Sequence, residues 1–276
     1  MRTLHDMVVV ITGASAGIGA ALARSLYEQK AHLVLAARRL DRLEALNREL
    51  GGQHLVVRAD VSEPNDCQNI VQQTIRRFGR IDTLVANAGY GIYDPVVQTT
   101  PQQTREIFAT NVFGTTDLVY AAAPFMFRQD QRDGWRGQIM IVSSVCGRRG
   151  VPFLGMYSGT KSAQLAIAEA MRVELEPHKI AVTTIHPIMT KTDFGRTAET
   201  RSRIVLPQED RSRMTQSVEH VARRMIEAIR RPRPEVWPSQ AARIVVGFGT
   251  LMPGLVDRVL SRYRDRVREK NPSVPL

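Results

Sequence analysis

Met7-Val8-Val9-Val10-Ile11-Thr12-Gly13-Ala14-Ser15-Ala16-Gly17-Ile18-Gly19 decides how this chain folds. The first five residues are apolar and mostly β-branched, as in a strand buried on both faces. Three glycines follow at the spacing Gly-x-x-x-Gly-x-Gly. They let the main chain turn sharply and let a phosphate approach the backbone. Residues 20–27 then read as an amphipathic helix whose first N–H groups point at an anion. A strand, a glycine-rich turn and a helix in this order cradle a dinucleotide. The spacing differs from the more widespread Gly-x-Gly-x-x-Gly, and a turn using glycine only for geometry is the competing reading.

Outward from this stretch, strand and helix alternate to residue 237. Strands are expected at 32–37, 54–58, 82–86, 138–143, 180–186 and 235–237, and helices at 17–29, 40–50, 64–78, 101–127, 156–176 and 218–230. The strands are continuously apolar, which predicts about seven parallel strands covered by helices on both faces. The expected fold is a single-domain, Rossmann-like, doubly wound α/β sheet.

Tyr157 and Lys161 stand four residues apart on the expected helix 156–176 and so share a face. An ammonium beside a phenol stabilises its anion and lowers its pKa from about 10. Such a phenol can exchange a proton with a carbonyl or alcohol near neutral pH. Alone, Tyr-x-x-x-Lys is more often a surface pair.

Taken with the glycine turn, this pair resembles the short-chain dehydrogenase/reductase family over residues 5–237. The resemblance implies a cofactor turn through Gly13, Ser15, Gly17, Ile18 and Gly19, and an adenine contact at Asp60 and Val61. Asn87, Ala88 and Gly89 match a motif that supports the central sheet. Asn111, Ser144, Tyr157 and Lys161 match the catalytic set, with Ser144 thirteen residues before Tyr157. The implied roles are Tyr157 as acid/base, Ser144 polarising the substrate oxygen and Lys161 on the nicotinamide ribose. Asn111 would hold a water leading from Lys161 to solvent. Pro187 and Thr192 match the turn beside the nicotinamide, although Ile188 replaces the usual glycine. That turn must therefore use ordinary backbone angles. His186 reads as a packed strand-end residue.

Charge bears on the cofactor. NAD enzymes place a carboxylate after the second strand to bond the ribose 2′-hydroxyl. Here Ala37 and Arg38 occupy that place. A guanidinium there, with Ser15 as second donor, suits the 2′-phosphate of NADP(H). The pocket segments carry Tyr90, Ile92, Tyr93, Val151, Phe153, Leu154, Met189 and Phe194, which favours a small hydrophobic carbonyl or secondary alcohol. A 3-oxoacyl chain on an acidic carrier, or a non-catalytic NADP(H) sensor or scaffold, are the alternatives.

The 276 residues are 43% hydrophobic and 24% charged, ordinary for one globular α/β unit. Two cysteines, Cys67 and Cys146, give no disulfide framework and no metal-ligand spacing. The net charge is +11, but the arginines are scattered and no nucleic-acid-binding motif accompanies them, so no nucleic-acid partner is expected. The first strand begins at Met7 with no apolar run of signal-peptide length before it, which predicts a cytoplasmic protein. Residues 1–238 read as the catalytic domain and 239–276 as an extension. In the extension, 244–256 lacks charge but is too short to span a bilayer, and 258–270 is basic. Packing on the domain or on a partner subunit is preferred over a peripheral membrane contact. A homodimer or homotetramer through the helices at 101–127 and 156–176 is implied by the resemblance.

Overall fold

The computed structural model describes residues 1–190, 194–204 and 215–272. Val8–Thr12 (β1), His32–Ala37 (β2), Leu55–Arg58 (β3), Thr83–Ala86 (β4), Gly137–Val142 (β5), Ile180–Ile185 (β6) and Glu235–Val236 (β7) form one sheet. Its order is β3-β2-β1-β4-β5-β6-β7, and every neighbouring pair is parallel. The doubly wound α/β expectation holds.

Period-two alternation assigns each strand residue to one of two cores. Val9, Ile11, Leu33, Leu35 and Met140 face Leu22 and Leu26 of α1 (Gly17–Tyr27), Leu43 of α2 (Leu40–Glu49) and a C-terminal-half helix described below. Val10, Val34, Leu84 and Ile139 face Ile70 and Val71 of α3 (Pro64–Phe78) on the other side. Truncating a fully buried aliphatic such as Leu22 or Leu35 costs about 2–5 kcal/mol.

The expected helix 101–127 is not continuous. α4 (Pro101–Phe108) starts at a Thr100–Gln103 capping box, a π turn follows at Ala109–Phe113, and α5 (Gly114–Arg128) completes the run. A π turn widens the backbone ring and re-aims one side chain, here Asn111, which is fully buried. Gly114 lies so close to Val61 that a Cβ there would sit 2.6 Å from the Val61 carbonyl oxygen.

α6 (Gly155–Leu175) carries Tyr157 and Lys161, and α7 (Phe194–Glu199) follows β6. α8 (Val218–Arg230) starts at the Ser217 cap and packs Val221 and Met225 on the first core. The chain ends in α9 (Gln240–Leu251) and α10 (Pro253–Lys270), bent by 116° between them. Strand order reverses between β1 and β4, which opens a crevice beyond the C-terminal ends of the strands.

Candidate active site

Main chain builds one half of that crevice. Gly13 has φ +67°, and a Cβ there would meet the Ala88 Cα at 2.9 Å. A Cβ on Gly19 would lie 2.6 Å from the Gly13 carbonyl oxygen. These two glycines let the turn, α1 and the end of β4 press together. Asn87 locks the contact: its Nδ2 donates to the Thr12 carbonyl at 2.9 Å. The Thr12 hydroxyl accepts from the Asn87 and Ala88 amides at 3.1 and 3.2 Å. Gly17, with φ +58°, then opens α1. No side chain caps that helix start and no acid lies in its first turn, so its N–H groups are left for an anion.

The cleft has a volume of about 750 Å³ and is lined by Gly13, Ser15, Gly17, Ile18, Arg38, Asp60, Val61 and Asn87 to Gly89 at one end. Ser144, Tyr157, Lys161 and Pro187 line the other. Gly19 stands behind the wall, and Thr192 lies outside the described residues. Arg38 pairs with Asp60 at 3.5 Å. Burial opposes ionisation of Asp60, yet the Ser62 hydrogen bonds and the Arg38 charge hold its carboxyl below the usual range. Arg39 was not among the expected site residues. Its guanidinium donates to the Ser15 hydroxyl at 3.0 and 3.3 Å, bridging α2 to the glycine turn and lining the cleft. The Arg38-Arg39 pair was the available signal, since the two side chains flank the same β2 end.

Ser144 caps the Val145–Gly147 turn after β5 by accepting from the Cys146 amide at 3.2 Å. Its hydroxyl also reaches the Pro187 carbonyl at 3.5 Å, joining the β5 and β6 ends. Ile188 keeps a negative φ, as its β-branch demands. Lys161 Nζ lies 5.7 Å from the Tyr157 ring centroid and donates to the Val142 carbonyl and to Gln164 Oε1, both at 2.9 Å. Burial governs both partners. It lowers the Lys161 ammonium to about 7 and raises the Tyr157 phenol, with the Ser144 hydrogen bond working the other way on the phenol. Burial opposes the phenolate, and the downward pull on the Tyr157 phenol comes from the Ser144 hydrogen bond.

Asn111 is held from both its side chain and its backbone. Its amide donates to the Tyr90 carbonyl and Thr160 hydroxyl at 2.9 and 3.0 Å and accepts from the Tyr90 amide at 3.0 Å. Its backbone carbonyl accepts from Gln164 Nε2 at 2.6 Å and from the Thr115 hydroxyl at 2.9 Å. The side chain of Gln164 thus joins Lys161 to the Asn111 carbonyl. Gln164 was missed because an amide mid-helix carries no signal until its neighbours are known. His186, by contrast, is the packed residue expected: it stacks on Trp237 at 4.3 Å, and burial lowers its pKa.

On the substrate side, Tyr90, Tyr93, Leu154, Met189 and Phe194 line the cleft. Phe194 meets Tyr157 edge-on at 5.3 Å. Ile92, Val151 and Phe153 do not reach it; Ile92 and Phe153 are buried behind the rim. Cys146 lines the cleft beside Tyr157 and Lys161, and burial pushes its thiol up.

An uncapped helix start, a glycine wall and a deep tyrosine–lysine–serine end fit a nicotinamide dinucleotide laid across the strand ends. The short chain dehydrogenase family model matches residues 7–203. Dehydrogenase/reductase SDR family member 7B of Bos taurus is 30% identical, with 97% of this chain and 85% of that protein covered. The uncharacterized oxidoreductase YxnA of Bacillus subtilis is 32% identical over 100% of this chain and 77% of its own length. Among solved structures, a Burkholderia phymatum short chain dehydrogenase/reductase in complex with NAD superimposes with a TM-score of 0.83 at 23% identity, covering 92% of this chain and 96% of that one. With this match and the Tyr157–Lys161 site behind it, the chain belongs to the short-chain dehydrogenase/reductase family, whose members are nicotinamide-dependent oxidoreductases acting on alcohols and carbonyls.

Proposed function

We propose that the protein is an NADP(H)-dependent oxidoreductase interconverting a hydrophobic carbonyl and its secondary alcohol. The observation that carries this reading is the pairing, in one cleft, of a buried Tyr157–Lys161–Ser144 end with a β2 end where Ala37, Arg38 and Arg39 stand in place of a carboxylate. Arg38 and Arg39 flank the place of the ribose 2′ substituent and offer forked donors to a phosphate. When bound along the glycine turn, the dinucleotide would supply or accept hydride. The Ser144 hydroxyl donates to the substrate oxygen, and Tyr157 delivers or removes its proton. Lys161, tied by Val142 and Gln164, lines the cleft beside Tyr157, where it would bond the nicotinamide ribose. Asn111 acts as a positioning residue by clamping Tyr90 and anchoring Gln164. The aromatic rim of Tyr90, Tyr93 and Phe194 excludes water and supports an apolar substrate.

A homodimer or homotetramer is part of the proposal. Phe113, Tyr120, Phe125 and Val173 on the π turn, α5 and α6 expose apolar surface suited to a second copy. The test follows NADPH absorbance against a panel of ketones, aldehydes and acyl thioesters, and NADP against secondary alcohols. Turnover of hydrophobic ketones is expected. Preference for acyl thioesters would favour the carrier-linked alternative, and NADPH binding without turnover across the panel would favour a sensor.

A further inference from the structure

The two C-terminal helices carry two apolar stripes, and the fold uses one. The inner stripe on α10 is Val256, Leu260, Tyr263 and Val267, spaced at every third or fourth position. Val267 is fully buried against Tyr93, Phe153, Ala198 and Ile204, with Tyr263 packed on the same cluster. α9 rests on the Val145–Gly147 turn, and Arg149 pairs with Asp257. The outer stripe runs through Ile244, Phe248, Leu251, Leu255 and Val259, all exposed; Ile244 is 72% and Leu251 81% accessible. From Ile244 to Val256 there is no charged side chain. On α10 the outward face then becomes basic, with Arg258 and Arg262 exposed beside Val259.

We propose that this outer face seats the protein on a bilayer surface carrying anionic lipid. Ile244, Phe248 and Leu251 share one face of α9, Leu255 and Val259 share one face of α10, and such grouped exposure is a patch rather than scattered exceptions. Among the described residues, no single helix is long and apolar enough to cross a membrane, and the two helices that carry the stripe bend by 116°. An apolar stripe bordered by arginines lies in the interface, with the side chains in the acyl boundary and the guanidinium groups among headgroups. Arg258, Arg262 and the net charge of +11 complement anionic lipid. A second copy of the chain fits this face less well. A two-fold contact sets the patch against itself and would strip water from the exposed Arg258 and Arg262, a cost that lipid headgroups do not impose. Because the inner stripe packs behind the aromatic rim, docking would bring the cleft close to the lipid phase. This inference goes beyond the proposed reaction, and its test does not depend on turnover.

The full chain is floated with vesicles of phosphatidylcholine alone and of phosphatidylcholine with about a quarter phosphatidylglycerol. Flotation with the anionic vesicles, weakened by raised salt, is expected. Ile244→Ser/Phe248→Ser/Leu251→Ser should reduce binding at least about tenfold while melting close to the wild-type temperature. Arg258→Glu/Arg262→Glu should lose the preference for phosphatidylglycerol and provides the reading if the serine variant misfolds. Failure of the wild-type chain to float with either vesicle overturns the proposal. So does sedimentation in which the serine variant dissociates an oligomer while vesicle binding stays unchanged, since the face would then belong to a second copy.

Discussion

The two ends of the cleft are made of different material. At the dinucleotide end the wall is backbone: Gly13, Gly17 and Gly19 in one short stretch, locked to β4 by Thr12 and Asn87. At the substrate end it is side chain, drawn from the β4 loop, the segment before α6, α7 and, behind them, α10. Backbone packed at van der Waals distance admits almost no change. Side chains from separate segments can be exchanged one at a time. Strain follows the same division. The dinucleotide end places its left-handed residues at Gly13 and Gly17, whereas the substrate end holds Phe153, a buried aromatic, at φ +66°. A conformation that unfavourable costs on the order of 1 kcal/mol or more and is sustained by the cluster of Tyr93, Ala198, Ile204 and Val267 around it.

The largest expected effect isolates chemistry from binding. Tyr157→Phe should keep dinucleotide affinity, read by NADPH fluorescence, while turnover falls about 10³-fold or more; an active variant would remove Tyr157 from its role. Next, the contrast between the ends can be broken directly. Gly19→Ala places a methyl against the Gly13 carbonyl and should cost about 2–3 kcal/mol of stability along with dinucleotide binding. Met189→Ala, on the half-exposed rim, should change stability by less than about 0.5 kcal/mol and alter KM alone. Equal losses in thermal melts of the two variants would erase the distinction.

Arg38→Asp should move the NADP/NAD ratio of kcat/KM toward NAD by about tenfold to a hundredfold, since one charge-assisted contact is lost and a like charge gained. An unchanged ratio would mean that the 2′ substituent is read elsewhere, with Arg39 the first candidate. A further effect concerns the pH dependence that Lys161 imposes. Its folded pKa of about 7 lies below the unfolded value of 10.5, so between those limits the unfolded chain binds more protons and stability rises with pH. Above about pH 9 the raised thiol of Cys146 opposes this, leaving a window from about 7 to 9. Across it the wild type should gain about 1–2 kcal/mol relative to Lys161→Met in denaturant titrations. Parallel pH profiles would show that the lysine is not desolvated.

Local pattern made the strands, the glycine turn and the Tyr157–Lys161 spacing legible before any coordinates, because each depends on neighbours in sequence. Period-two burial in β1 and β2 needed only their apolar runs. The π turn at Asn111, the Gln164 bridge from Lys161 to the Asn111 carbonyl and the Arg39 latch on Ser15 were not legible. Each joins residues at least 24 positions apart, or is anchored by such a contact, and such contacts have no local signature.

By itself, then, the sequence determined the order of the strands, the glycine turn and the identity of the candidate catalytic side chains, since those follow from periodicity, glycine geometry and residue type. Tertiary structure alone decided the protonation tendencies of Tyr157 and Lys161, which partners tie them, and which stripe of the last two helices faces outward. Desolvation and exposure are properties of how separate segments pack, and no single segment contains them.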